Sequence, residues 1–320
     1  MLILSLLLAC NGCASCQPEL PNPDSTDTQD SDTQDVNDSG SDTGEDTGDT
    51  GFVPPPCPIM ELEPNDSYTT AQLVLLEKWI CGDFNKEFDL DNYGFQFPAE
   101  EGWLKIWGRG QSVGSLSDLL ITLDQGTNTA ISFAQAGSTD PFLLIPVTNE
   151  DVLYATMQDQ YGEFGEDNFY EMLISEVKPP VEWNDEESDS FGENNSPAGA
   201  HLLQDGSRVF GRTATNTDTD WYRISVPEGQ SVQITISIEA FQYGSPIDPI
   251  IYLYPEAAFT DSSTAYVAVR NNGSTSGNLD PTLRYTLSEG GEWALLLKNN
   301  TSGGSDFHWY VMDVQINQVE

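Results

Sequence analysis

The chain has 320 residues, of which 52 are acidic and 11 are basic, so its formal net charge at pH 7 is −41. This length accommodates about two domains of ordinary size. A surface this acidic repels phosphate backbones, which excludes nucleic acid as a partner and leaves cations, basic partners and neutral ligands.

The first nine residues are apolar and lead directly into Cys10. They are too few to span a bilayer, which takes about 20 residues, but they suit the apolar core of an export signal. Residues 7–10 resemble a lipobox, where bacterial lipoproteins are cleaved and acylated on cysteine, although no basic residue precedes the apolar run. We predict a signal segment at 1–9, a lipidated Cys10 (with Cys13 and Cys16 as weaker alternatives) and a protein anchored in the bacterial cell envelope, at the outer membrane or cell surface.

Residues 17–56 contain eleven acidic residues and no lysine or arginine. Such a segment buries too little apolar area to offset the entropy lost on ordering, and its charges repel one another. We therefore predict that 10–56 forms a disordered acidic stalk that begins at the lipidated cysteine.

The rest of the chain contains an internal repeat. A shift of 129 residues without gaps places 64–98 on 193–227 with nine identities in 35 positions. The repeated residues are Asn65, Ser67, Ala71, Leu73, Gly82, Asp89, Asp91, Tyr93 and Pro98. Later blocks match at shifts of 130 (Gly114 with Gly244) and 140 (Tyr170 with Tyr310), so loops are longer in the second copy. We predict tandem domains at 57–177 and 178–320.

Strand periodicity accompanies the repeat. Val232, Ile234, Ile236 and Ile238 alternate with polar residues, which is typical of a half-buried strand. No long amphipathic helix is evident, so the fold class is predicted to be all-β.

The repeated pattern resembles a known family in both copies. Its elements are residues 63–66, Gly82 and 89–95 in the first copy, and 218–224, 244–249, 291–295 and 308–310 in the second. In this order they resemble the bacterial pre-peptidase C-terminal domain, which is akin to the collagen-binding domain of clostridial collagenases. The resemblance implies two tandem jelly-roll-like antiparallel β-sandwiches.

The resemblance also implies a calcium site, because relatives hold calcium with carboxylates of the opening segment and with aspartates before a tyrosine. The corresponding residues are Glu61, Glu63, Asn65, Asp66, Asp89 and Asp91. Calcium takes six to eight oxygen ligands, which this set can supply; the alternative is a turn with solvated acids. In the second copy, Ser190 and Gly192 fall on Glu61 and Glu63, unless 182–185 is the opening segment and an insertion follows it.

Two further features concern the first domain. Cys57 and Cys81 are the only cysteines of the folded part and are predicted to form a disulfide if the chain is exported, the alternative being two free thiols. Trp103, Lys105 and Trp107 alternate with Leu104 and Ile106, which we align with Val232 and Ile234. They are predicted to face outward as a contact surface for sugar or peptide, or else to be buried against the other domain or a loop.

The sequence motifs give only weak evidence for a catalytic function. Residues 110–114 spell G-x-S-x-G, but a strand rather than the required helix is predicted after them, and both histidines (His201 and His308) lie in the second domain. We therefore predict that the chain is not an enzyme but a lipoprotein with modules that bind or display, for an unknown protein or carbohydrate ligand. The alternatives are an accessory to a separate secreted hydrolase and a structural spacer of the cell envelope.

Overall fold

The computed structural model describes residues 57–132, 139–148, 152–187, 194–273, 277–301 and 303–319. The predicted signal segment, Cys10 and the stalk lie outside these residues. The described residues form twenty strands and four short 3-10 helices, with no α-helix among them, so the all-β prediction is confirmed. In this part of the chain, no helix has the length and apolar character that crossing a membrane requires.

The first ten strands build one sandwich. They are β1 (Ile59–Met60), β2 (Gln72–Leu73), β3 (Trp79–Asp83), β4 (Asp91–Phe95), β5 (Glu101–Arg109), β6 (Leu119–Gln125), β7 (Asn128–Ser132), β8 (Phe142–Thr148), β9 (Leu153–Asp159) and β10 (Phe169–Val177). One sheet has the order β1-β3-β10-β5-β8 and the other has the order β2-β4-β9-β6-β7.

The last ten strands build a second sandwich. They are β11 (Asp185–Glu186), β12 (His201–Leu203), β13 (Arg208–Arg212), β14 (Asp220–Val226), β15 (Val232–Glu239), β16 (Pro249–Pro255), β17 (Ala268–Asn271), β18 (Thr282–Leu287), β19 (Gly291–Asn299) and β20 (Trp309–Gln318). Its sheets have the orders β11-β13-β20-β15-β18 and β12-β14-β19-β16-β17, which repeat those of the first sandwich strand for strand. The predicted tandem of antiparallel sandwiches is therefore confirmed.

The strand register corrects one alignment made from the sequence. Gly108 pairs with Met172 in the first sandwich, and Ile238 pairs with Met312 in the second. Gly108 therefore corresponds to Ile238, a shift of 130, whereas the sequence comparison had used 128 on this strand. Trp103, Lys105 and Trp107 thus take the positions of Gln233, Thr235 and Ser237. The side-chain face is unchanged, because a slip of two residues preserves the alternation.

The two sandwiches belong to one compact unit and share buried residues. Phe307, from the loop before β20, is 1 % exposed and packs within the core of the first sandwich. Beside it, Trp103 and Leu144 of the first sandwich pack against Phe210 and Trp309 of the second. The rings of Trp103 and Trp309 meet edge to face at 4.9 Å, a favourable aromatic arrangement.

Hydrogen bonds hold this contact in register. The indole Nε1 of Trp309 donates to the carbonyl of Leu144 at 2.6 Å, and the Leu144 amide donates to the carbonyl of Gly244 at 3.0 Å. Gly244 has φ 91°, and an added Cβ would overlap the Phe142 ring, so only glycine permits this approach. The sandwiches are therefore joined by apolar burial and by backbone pairing.

We expect Phe307→Ala to lower the free energy of unfolding of the intact chain by about 3–5 kcal/mol, because it opens a cavity in the first core. Denaturant melts measure this, with Phe164→Ala as the control, since Phe164 is 53 % exposed and its truncation should change stability by about 0.5 kcal/mol or less. Equal midpoints for the two variants would contradict the packing described.

Candidate functional site

A buried carboxylate lies at the same place in each sandwich. In the first, Asp91 begins β4 and lies near Tyr93 and Tyr170, whose hydroxyls are 2.5 Å apart. Gly82 on β3 leaves room for this pair, because an added Cβ would overlap the Tyr170 hydroxyl. These contacts explain why the glycine, the aspartate and both tyrosines occur in both copies.

The carboxylates of Glu61, Glu63 and Asp91 form a first candidate metal cluster, with one oxygen of each within 4.8 Å of the others. Asn65 holds the two glutamates, since its side-chain amide donates to Glu61 at 2.9 Å and its backbone amide donates to Glu63 at 2.9 Å. Both oxygens of Asp91 and the Oδ1 of Asn65 are buried without a hydrogen bond of good geometry. Buried oxygens without donors are the groups that a calcium ion would satisfy.

The electrostatics of this cluster are unfavourable without a cation. Burial, and then the neighbouring Glu61 carboxylate, raise the pKa of Asp91 to about 10, while the Tyr170 hydroxyl offsets a small part of the effect. Burial likewise raises the pKa of Glu61. Without a cation, Asp91 therefore carries a proton at neutral pH.

A second cluster consists of Glu63, Asp66 and Asp89, which again bring oxygens within 4.8 Å of one another. The Lys86 ammonium contacts Asp66 and lies 3.3 Å from Asp89. Lys86 thus already forms ion pairs with two of these carboxylates, those of Asp66 and Asp89. The structure brings all six sequence-predicted ligands together around the opening segment.

The second sandwich supplies its equivalent carboxylate from Glu187, a residue that neither alternative from the sequence named. Asp185 pairs with Val209 as Ile59 pairs with Ile80, so the offset in this segment is 126 and Glu187 corresponds to Glu61. Residues 182–185 do belong to the opening segment and an insertion does follow, but the carboxylate comes two residues later. The comparison without gaps missed it because six residues separate Glu187 from Asn194, whereas three separate Glu61 from Asn65.

Tyrosine hydroxyls donate hydrogen bonds to both carboxylates of the second sandwich, Glu187 and Asp220. Tyr310 donates to Asp220 at 2.6 Å, and Tyr222 donates to Glu187 at 2.8 Å. Burial raises the pKa of both tyrosines, so they remain donors. Asn195 stands where Asp66 stands in the first sandwich. The candidate metal clusters of the described residues all lie in the first sandwich.

Cys57 and Cys81 are joined in a disulfide with a Cα–Cα distance of 6.0 Å. The bond attaches the start of the described chain to β3, next to Gly82. It therefore restrains the segment that presents Glu61 and Glu63.

The predicted Trp103–Lys105–Trp107 surface is divided in the structure. Trp103 is 8 % exposed in the contact between the sandwiches, so the expectation that it faces outward as part of a ligand surface is corrected in favour of the alternative. The ring centres of Trp107 and Trp79 are 5.6 Å apart, and the Arg109 guanidinium is 4.2 Å from the centre of the Trp79 ring. The Lys105 ammonium lies 5.2 Å from the centre of the Trp107 ring. Lys105 and Trp107 are partly exposed members of a row of alternating rings and cations.

A different aromatic surface was not identified from the sequence. On the outer face of the sheet that contains β14, β16 and β19, the Trp221 and Tyr254 rings are 5.4 Å apart and those of Tyr252 and Tyr266 are 5.2 Å apart. Tyr266 is 50 % exposed and the other three rings are partly exposed. We call these four residues the aromatic face. The alternation of Tyr252 and Tyr254 was a visible signal, but Trp221 and Tyr266 join them only in the fold.

The same face of the first sandwich carries polar residues at two equivalent positions, beside the stacked rings of Tyr68 and Tyr154. Register places Asn92 and Thr122 where the second sandwich has Trp221 and Tyr252, because each pair flanks the equivalent residue of the next strand, Thr156 or Leu296. The fold therefore does not require aromatic side chains here.

The G-x-S-x-G residues lie in a turn. Gln111–Val113 form a 3-10 helix, Gly114 follows with φ 95°, and the exposed Ser112 is not on the strand–turn–helix that a nucleophile elbow needs. His308 is buried against Ser305 in the second sandwich, and burial lowers its pKa to about 4.

Residues 218–298 match the sequence model of the bacterial pre-peptidase C-terminal domain. This range runs from Asp218, two residues before β14, to Lys298 in β19, so the resemblance noted above is confirmed for the second sandwich. No curated protein sequence matches the chain.

Solved structures also show similarity. The pre-peptidase C-terminal domain of a collagenase from Bacillus anthracis is 19 % identical, with 37 % of this chain and 94 % of that chain covered and a TM-score of 0.26. A tandem CBM22 domain from Paenibacillus barcinonensis Xyn10C is 12 % identical, with 74 % and 85 % covered and a TM-score of 0.24. Tandem CBM51 modules of a family 98 glycoside hydrolase from Streptococcus pneumoniae are 8 % identical, with 76 % and 85 % covered and a TM-score of 0.24.

Proposed function

We propose that the protein is a non-enzymatic binding protein of the bacterial cell envelope, which contacts a basic protein partner through the aromatic face. The observation that carries this proposal is the difference between the two sandwiches at equivalent positions, where Trp221 and Tyr252 replace Asn92 and Thr122. Since polar residues fill these two positions in a sandwich with the same strand order, the fold does not require Trp221 and Tyr252 there, and we propose that they serve contact.

The shape and charge of the surface favour a protein partner. The aromatic face lies on a sheet rather than in a cavity, and tyrosine and tryptophan are enriched at protein interfaces. The chain carries 41 more negative than positive charges, which attracts and orients a basic partner.

We further propose that calcium binds the first sandwich at Glu61, Glu63 and Asp91, with Asn65, Asp66 and Asp89 beside them. When bound, calcium would neutralise the buried carboxylates and hold the opening segment against β3 and β4. The second sandwich is independent of calcium in this proposal, because its tyrosines already supply donors to Glu187 and Asp220.

The position of the protein in the cell remains a proposal drawn from the sequence. A lipid chain on Cys10 and the acidic stalk would present the paired sandwiches away from the membrane. If the partner is a hydrolase, the protein acts as its accessory; if the chain has no partner, it is a spacer.

We expect the double change Trp221→Asn and Tyr252→Thr, which installs the residues of the first sandwich, to weaken binding of the intact chain to an array of basic peptides at least tenfold. Loss of one such side chain at a contact commonly costs about 2 kcal/mol or more. The matched control is Tyr161→Ala, since Tyr161 is 65 % exposed and stacks on no other ring in the described part of the chain. Unchanged binding by the double variant, or no peptide bound by the parent, would refute the proposal.

We expect millimolar calcium to raise the melting temperature of the intact chain. At a calcium concentration a hundred times the dissociation constant, the free energy of unfolding rises by about 2.7 kcal/mol. The gain should grow from pH 5 to pH 8, because binding displaces the proton of Asp91. In EDTA, Asp91 has a higher pKa in the folded state than in the unfolded state. Its contribution to stability is therefore complete below the unfolded-state pKa and is lost as the pH rises towards about 10.

Asp91→Asn should therefore flatten the pH dependence in EDTA and abolish the calcium response. The control is Asp220→Asn, the equivalent change in the second sandwich, which should leave the calcium response intact. A parent protein that melts identically in calcium and EDTA would end the calcium proposal.

We expect Cys10→Ser to move the protein from the membrane fraction to the soluble fraction and to abolish labelling by a fatty-acid probe. Cys13→Ser and Cys16→Ser serve as controls and should retain both. Label that persists in all three variants would show that none of these cysteines alone carries the lipid.

A further inference from the structure

The contact between the sandwiches leaves a cleft of about 510 Å³ beside the shared apolar residues. Its walls come from both sandwiches and include the rings of Trp103, Trp183 and Phe210. This volume lies within the range of about 300–1,000 Å³ that is typical of small-molecule sites, which also favour the boundary between two domains.

Arg212 is the basic residue among those that line this cleft. Its guanidinium lies 5.2 Å from the centre of the Phe210 ring and has no ion-pair partner within 4.0 Å among the described residues. The ring holds it in place while its donors stay available to a ligand.

Hydrogen-bond acceptors face the same space. Glu101 is exposed at one wall, and Glu186 accepts the Nε1 proton of Trp183 at 2.9 Å while keeping a second oxygen. Asp306 accepts a hydrogen bond from Asn128 at 3.0 Å, which joins the two sandwiches at the rim. Donors and acceptors thus line the cleft together with aromatic rings.

This combination selects among ligand classes. An anionic ligand would meet the carboxylates of Glu101, Glu186 and Asp306, and a cationic one would meet the unpaired Arg212. A neutral polyhydroxyl ligand uses both kinds of group, because each hydroxyl donates to a carboxylate or accepts from the guanidinium, while a C–H face lies against the partly exposed Trp183 ring. We infer that the cleft between the sandwiches binds a neutral saccharide. This site is separate from the aromatic face and goes beyond the function proposed above.

The test uses the intact chain on an array of neutral oligosaccharides, with uronic-acid oligosaccharides and oligolysine as the competing classes. Tryptophan fluorescence then follows titration of a bound sugar, because Trp103 and Trp183 line the cleft. We expect neutral sugars to bind, and Arg212→Gln and Glu101→Gln each to weaken binding at least tenfold. Thermal melts check that the variants fold.

Two controls separate this inference from the proposed function. Arg284→Gln removes an exposed arginine of the same sandwich that does not line the cleft, and it should bind sugar normally. Trp221→Asn with Tyr252→Thr should also bind sugar normally, although it is expected to lose basic peptides. The inference is overturned if the parent binds no neutral sugar, if it prefers charged probes, or if folded Arg212→Gln binds as the parent does.

Discussion

Burial of the Phe307 ring in the core of the first sandwich makes the two sandwiches one body. The ring comes from a loop of the second sandwich, so the core of the first sandwich is not complete in isolation. The bond from Trp309 to the Leu144 carbonyl and the close approach at Gly244 then set the relative position of the two sheets. Trp103 is covered as a consequence, and the cleft that contains Arg212 exists only because this contact is fixed.

Within each sandwich, the repeated residues serve a shared buried site. A carboxylate at the start of one strand lies near two tyrosines, and a glycine on the neighbouring strand makes room for them. The two copies differ in the groups that surround this buried carboxylate. The first adds Glu63 and Asp66, and the oxygens of Asp91 have no hydrogen bond of good geometry. In the second, Tyr222 donates to Glu187 and Tyr310 donates to Asp220. One scaffold thus supports an arrangement suited to a cation and another that is closed by the protein.

The outer faces diverge in the same way. The first sandwich has Asn92 and Thr122 where the second has Trp221 and Tyr252 of the aromatic face. The second has a charged pair, Arg208 with Glu239, where the first has Trp79 and Arg109. Alternation along a strand constrains which residues share a face but not their chemistry, so the two copies were free to specialise.

The sequence by itself determined the all-β class and the duplication, because these depend on local periodicity and on identities at a constant spacing. The six candidate calcium ligands followed from the family resemblance. The sequence could not place Glu187, since three additional residues before Asn194 change the spacing without leaving a pattern. Only the tertiary structure decided that Trp103 is covered while Lys105 and Trp107 stay partly exposed, since all three share one strand face and differ only in what packs above them. The aromatic face and the cleft likewise required the fold, because their residues are far apart in the chain and meet only through strand pairing and the contact between sandwiches.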